Sequence, residues 1–272
     1  GAVGCDYSSV GVCAPRGVVE TMLIYDHNGI AIYHGRCEDT LGEISGATLL
    51  LTDPCYGTTQ LDWDVPIDLT AFWSLASQAC RPVALQVLFS AQPFTTDLIN
   101  SNRAHWRYEI IWHKTMATGS LDANRRPLRA HENIQVFCDR FGDSTYNLQK
   151  IPCRPRKEHK RRLGTPAQHY SHKTERHLGE TYTGFHPHDV VSISNGHGGK
   201  STHETAKPIE LMMWLVASFS NPGDLVGDPF MGSGTTLEAC KRLGRRAIGI
   251  DIRESCCEIA ARRLQQEVME LI

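Results

Sequence analysis

The chain has no apolar run near the roughly 18 residues that a membrane-crossing helix needs, so a spanning segment is excluded. It has no C-x-x-C pair either, although ten cysteines stand at positions 5, 13, 37, 55, 80, 138, 153, 240, 256 and 257. Without paired ligand spacing, a zinc site drawn from Cys138, Cys153 and the neighbouring histidines has little behind it, and no metal is expected. Adjacent Cys256 and Cys257 are poor partners for an ordinary bridge, so buried free thiols in a reducing cytoplasm are expected. The first residues hold no basic stretch leading into an apolar core, so no secretory signal is expected. Internal repeats and extended low-complexity tracts are also missing.

What is there is an ordinary globular composition. Hydrophobic residues at 41% and charged residues at 21% over 272 positions provide a core for one large domain or two small ones. A mostly disordered chain and a small disulfide-stapled scaffold are thereby excluded. The formal charge of −2 fits no uniformly basic binder, but it conceals a split. Between Lys150 and His177 nine Lys or Arg face only Glu158 and Glu175, a local balance of +7. The remainder holds 19 basic and 28 acidic residues. An acidic body with one basic patch suits a defined surface that meets a polyanion; a solvated loop is the plainer reading.

Hydrophobic patterning predicts an α/β chain. Thr21–Tyr25 and Ile30–Tyr33 around Asn28-Gly29 read as a hairpin, and Ala47–Thr52 as a strand buried on both faces. A helix from Asp68 to Cys80 precedes strands at Val83–Phe89, Tyr108–Trp112 and Asn133–Phe137. From about Asp139 to Lys200 prolines, glycines and basic residues leave little periodicity, so residues 139–200 are expected to be an irregular basic insert. Order returns with helices at Lys207–Ser220, Gly234–Leu243 and Arg253–Glu270, and strands at Asp224–Asp228 and Arg246–Asp251. Strands alternating with helices predict a parallel sheet covered on both faces, within one domain spanning residues 20–272.

Two strand ends carry chemistry. Asp228-Pro-Phe-Met-Gly-Ser-Gly-Thr-Thr236 runs from an apolar strand through a glycine turn into a helix. Gly232 and Gly234 allow close backbone approach, and the helix start supplies free amides. Seventeen residues beyond Gly234 a second strand ends at Asp251, placed to accept hydrogen bonds from ribose hydroxyls. A phosphate-binding loop would need Lys after Gly232, where Ser233 stands. The other end is Thr52-Asp-Pro-Cys-Tyr-Gly57, also directly after an apolar strand. A carboxylate (Asp53) beside an aromatic ring (Tyr56) suits a planar ligand bearing an amino group; a plain Asp-Pro turn is the alternative.

Together these motifs make the chain resemble the S-adenosylmethionine-dependent DNA amino-methyltransferases of the permuted (β) order, in which D-P-P-Y precedes F-x-G-x-G. Here Asp53-Pro-Cys-Tyr56 comes first and Phe230-Met-Gly-Ser-Gly234 comes second, with the basic region between. Asp53-Pro-Cys-Tyr-Gly-Thr-Thr59, Trp63-Asp64, Arg125-Arg-Pro-Leu-Arg-Ala-His-Glu132 and Lys207-Pro208 look most like phage and prophage N6-adenine methylases. The resemblance implies a Rossmann-like methyltransferase sheet with helices on both faces. It implies S-adenosylmethionine held by Asp228, Phe230, Gly232, Ser233, Gly234, Thr235 and Asp251, with Cys37 nearby and Lys207 on the cofactor carboxylate. Asp53, the Pro54 carbonyl and Tyr56 would hold a flipped base. Double-stranded DNA would be gripped by Arg125, Arg126 and Arg129 and by Arg154, Arg156, Lys160 and Arg161 of the insert, in a bacterial or phage-infected cytoplasm. A homodimer is an admissible assembly.

Two departures stand out: Cys55 replaces the second proline of D-P-P-Y, and Gly35-Arg-Cys37 replaces the usual G-D-C. N4-cytosine methylation and a nucleic-acid-binding protein with a decayed methylase fold are the rival readings.

Overall fold

The computed structural model describes residues 20–57, 66–157, 181–195 and 206–265, the side chains of 152–157 and 181–183 excepted. Strands β1 (Met22–His27) and β2 (Ile30–His34) form the expected antiparallel hairpin around Asn28-Gly29. A short helix α1 (Cys37–Thr40) and a 3-10 turn lead to β3 (Ala47–Thr52), whose bounds match the sequence reading. Helix α2 (Leu69–Ala79) starts where Asp68 caps it, the carboxylate accepting from the Thr70 and Ala71 amides at 2.9 and 3.1 Å. Then come β4 (Cys80–Ser90), α3 (Phe94–Ser101), β5 (Trp106–Thr118) and β6 (Arg129–Phe137). The insert holds β7 (Ile151–Lys157), β8 (Thr181–Phe185) and β9 (Val190–Ile193). The C-terminal part adds α4 (Ile209–Phe219), β10 (Leu225–Asp228), α5 (Thr235–Arg242), β11 (Arg246–Asp251) and α6 (Glu254–Gln265).

Among the described residues one sheet runs in the order β1-β2-β11-β10-β3-β4-β6-β5-β9. Strands β2, β11, β10, β3 and β4 are mutually parallel. The expected parallel sheet holds from β2 to β4 and is corrected beyond β4, because β6 pairs antiparallel with both β4 and β5. Residues 119–128 are too few for a crossover helix, so β5 and β6 close as a long hairpin. The expectation of an irregular insert is corrected for its described residues. Strands β7 and β8 form a separate antiparallel ribbon, and β9 extends the main sheet in parallel with β5. Prolines and basic residues mask any alternation in β7, so its pairing is visible only once the partner is in place. The start of the insert is tied to α4: the Asn147 side chain donates to the carbonyls of Ala217 (3.2 Å) and Ser220 (2.8 Å).

Alternate residues of β3 explain why its apolar run is continuous. Leu49 and Leu51 pack with Leu211 and Leu215 of α4, Leu237 of α5 and Leu264 of α6. Leu50 faces the other way, into a second core with Ile44, Phe72, Ala76 and Leu98. Each fully buried leucine contributes about 1.5–3 kcal/mol, so β3 is anchored from both sides right up to Thr52. That rigidity positions the loop at its end.

Candidate active site

Strands β3 and β10 are neighbours, with Leu49 opposite Val226 and Leu50 opposite Gly227. Both end at the same edge of the sheet, so Asp53 and Asp228 emerge side by side. From here the chain proceeds outward in opposite directions, β3 towards β4 and β10 towards β11. Crevices at such reversals are the usual ligand sites of open α/β sheets. A cleft open to solvent lies there, walled by Asp53, Lys207, Asp228, Phe230, Ser233 and Thr235.

On the β10 side, the Asp228 carboxylate is buried and fully engaged. It accepts from Thr52 Oγ1 (2.7 Å), from the Phe230 amide (3.2 Å) and from Thr236 Oγ1. Burial pushes its pKa up to about 7 against the pull of those donors. Asp228 therefore stitches β3, the glycine turn and α5 together at the floor of the cleft.

Gly232 and Gly234 both take left-handed backbone angles, φ +53° and +76°. A side-chain carbon on Gly232 would meet nothing within 4 Å, whereas on Gly234 it would lie 2.6 Å from Ala260 Cβ of α6. Gly232 thus leaves space for a ligand, and Gly234 leaves space for a helix.

Asp251, at the end of β11, accepts from the Gly232 amide (3.0 Å) and the Arg253 amide (2.8 Å). Burial raises its pKa despite these bonds. Thr235 Oγ1 accepts from Arg263 Nη1 at 2.7 Å. Cys37 is buried at the start of α1, its thiol pushed up first by burial and then by Glu38 and Asp228, so it stays protonated.

On the β3 side, the Tyr56 hydroxyl and the Lys207 ammonium each donate to one oxygen of Asp53. The Tyr56 ring is stacked on Phe94, with centroids 5.3 Å apart and planes at 24°. Pro54 is buried behind them. Lys207, expected at the cofactor carboxylate, also approaches Glu132 at 3.3 Å. Glu132 pairs in turn with Lys114. Burial alone would lower the Lys207 pKa, but Asp53 and Glu132 outweigh it and the ammonium is held above its ordinary range. For Glu132 burial works upward and is outweighed by Lys207 and Lys114, leaving its carboxyl below the usual range.

The structure thus brings Asp53, Lys207, Asp228 and the glycine turn to one cleft, with Tyr56 bonded to Asp53. Arg125 and Arg126 are exposed on the loop joining β5 to β6, and Arg129 opens β6. Arg126 is engaged by Asp122 at 2.7 Å. Because β5 runs parallel to β4, this loop rises from the same sheet edge as Asp53. Arg154 and Arg156 fall in β7, while Lys160 and Arg161 lie outside the described residues, as do Trp63 and Asp64.

Sequence reasoning gave no role to four polar residues: Thr52, Lys114, Glu132 and Thr236. Their partners are far away in the chain, and the available signal was slight: a charged residue inside a strand (Lys114, Glu132) or a hydroxyl bordering a motif (Thr52, Thr236).

Residues 49–262 match the family model described as DNA methylase, the N6/N4 methyltransferases. The type II methyltransferase M.HpaI of Haemophilus parainfluenzae is 31% identical over 161 residues, covering 58% of this chain and 45% of that protein. M.HinfI of Haemophilus influenzae is 35% identical over 166 residues, covering 58% and 39%. The chain therefore spans less than half the length of these two relatives. M1.MboII of Moraxella bovis is 26% identical over 241 residues, covering 81% and 91%. Among solved structures, the M1.HpyAVI–SAM complex shares the fold at TM-score 0.59 and 22% identity, covering 86% of this chain and 98% of that one. The cytosine-N4-specific PvuII DNA methyltransferase does so at TM-score 0.62 and 13% identity, covering 89% and 88%. The family match takes in both strand ends and the cleft between them, and the chain belongs to the DNA methylase family of N6/N4 methyltransferases.

Proposed function

We propose that this chain transfers a methyl group from S-adenosylmethionine to the N6 amine of adenine in double-stranded DNA. The observation that carries the reading is one cleft receiving, from adjacent parallel strands, both the Asp53–Tyr56 segment and the Gly232 turn. The residues present fit the cofactor. Gly232, between the lining residues Met231 and Ser233, has open space beside it, and Asp251, whose Oδ1 takes the Arg253 amide and faces its guanidinium at 3.5 Å, would turn its remaining lone pairs to ribose hydroxyls. When bound, the cofactor supplies a methyl already activated by the sulfonium.

The protein's share is alignment. An exocyclic aromatic amine is a weak nucleophile because its lone pair is delocalised into the ring. Asp53 and the Pro54 carbonyl would accept its two hydrogens and favour the developing tetrahedral nitrogen, a stabilisation stronger in the transition state than before it. The base has to leave the duplex to reach them. Tyr56, held upright by Asp53 and Phe94, would offer its other face to the base.

The order of the motifs supports the permuted (β) arrangement, and Asp at position 53, where Ser is common in the cytosine branch, favours adenine. The likeness to the cytosine-N4-specific PvuII fold keeps the N4 reading as the rival. Methyl transfer from labelled S-adenosylmethionine to duplex DNA, with digestion to nucleosides afterwards, tests both. Label in N6-methyl-2′-deoxyadenosine is expected. Label in N4-methyl-2′-deoxycytidine would move the assignment to the rival, and unlabelled DNA would overturn methyl transfer altogether.

A further inference from the structure

Behind Asp53 lies a row of alternating charges that the transfer step does not itself need. Lys114 of β5 pairs with Glu132 of β6, Glu132 approaches Lys207 at 3.3 Å, and Lys207 pairs with Asp53. The side chains of Lys114, Glu132 and Lys207 are only 9%, 15% and 13% exposed. Burying three charges is costly, and replacing such a set by apolar residues is often neutral or favourable. The row is therefore poor as a stabilising device. Its geometry points to another use.

Lys207 has a long, flexible stem and sits just before α4, outside any regular element. One anion would leave its ammonium free to swing through the cleft. A second anion restricts it: Glu132 Oε2, buried and with no hydrogen bond of its own, lies 3.3 Å from Nζ on the strand side, and the Phe89 ring lies 4.9 Å from it. Lys114 neutralises Glu132 from behind, so the four groups balance, two cations to two anions.

We propose that Glu132, backed by Lys114, is a positioning residue that fixes Lys207 against Asp53 and so sets the carboxylate for the target amine. The proposal rests on the methyltransferase reading above, but its geometric part can be tested without it. The groups facing Lys207 are Asp53 from the loop after β3, Glu132 from β6 with Lys114 behind it, and Asp228 from β10 across the cleft. Removing the Glu132 charge takes away one of the two anions that hold the ammonium up.

The test is Glu132→Gln in the full chain. Single-turnover methyl transfer should slow roughly 10–100-fold, the scale of a small misplacement of reacting groups, while S-adenosylmethionine affinity stays unchanged. The alkaline limb of the pH–rate profile should move to lower pH. The Lys207 Nζ titration, monitored by nitrogen-15 NMR and assigned with Lys207→Arg, should move the same way. Lys114→Met combined with Glu132→Gln restores the charge balance. It should remain slow, whereas recovery in this double variant would mean that Glu132 serves only to balance charge. An unaltered rate in folded Glu132→Gln, or an unmoved Lys207 titration, would overturn the proposal. Failure of the wild-type protein to methylate DNA would instead overturn the functional reading, and the Lys207 titration would still judge the positioning.

Discussion

At the scale of single residues, Asp228 and Asp53 illustrate two uses of a carboxylate at a strand end. Asp228 is spent on the protein itself, and its raised pKa ties stability to pH. Its ordinary value of 3.8 rises to about 7 on folding, so the native state holds a proton that the unfolded chain releases between those values. Stability from this group is full below about pH 4 and declines as pH rises through 7, on the order of a few kcal/mol. Asp228→Asn should flatten that decline, since an amide can still accept from Thr52 and the Phe230 amide while Thr236 turns to accept. Urea unfolding of both proteins at pH 5 and pH 8 checks it; parallel declines would show that other groups govern the slope. Asp53 faces the cleft instead. Asp53→Ala should keep S-adenosylmethionine affinity while slowing single-turnover transfer at least about 10²-fold, by analogy with removing one oxyanion-hole donor. Near wild-type transfer would sink the proposed role of its carboxylate.

At the scale of elements, the turn between β10 and α5 separates two kinds of glycine that look alike in the motif. Gly232 opens onto space, so Gly232→Val should remain folded, bearing the cost of a left-handed backbone, and lose cofactor binding. Gly234 faces Ala260, so Gly234→Ala should drive α5 and α6 apart and lower stability by about 1–3 kcal/mol from overpacking alone. Calorimetric titration and thermal melts of the pair decide it. Unchanged S-adenosylmethionine binding by Gly232→Val would displace the cofactor from this turn. The β5–β6 hairpin shows the same division of labour along one element. Towards its turn the strands hold Lys114 and Glu132 behind Asp53, and the turn itself raises Arg125 and Arg126 at the same sheet edge.

At the scale of the whole molecule, charge is segregated more sharply than the net value of −2 suggests. If the +7 window meets DNA, its phosphate contacts release counterions and affinity falls steeply with salt. Neutralising Arg154, Arg156, Lys160 and Arg161 together should flatten the plot of log affinity against log salt by up to about 0.9 per lost contact. Fluorescence anisotropy on duplex DNA from low to moderate salt measures this. An unchanged slope would return the window to a solvated surface and leave Arg125, Arg126 and Arg129 as the DNA-facing charges.

Much of this arrangement was determined by sequence alone, because the signals are local. A six-residue apolar run closed by Asp-Pro suits a strand covered on both faces, and β3 has the bounds read from it. Asn-Gly between two apolar runs closes the β1–β2 hairpin, and glycines after β10 mark the turn. Pairing partners are a different matter. Whether β6 lies parallel or antiparallel, and that β9 joins the sheet at all, depends on neighbours remote in the chain. The same holds for the site. Asp53 and the glycine turn are legible because each stands directly at the end of an apolar strand. Glu132 and Lys114 become meaningful only when three strands and the approach to α4 bring their charges together, because a buried ion's role is set by its partners and not by its own flanking residues.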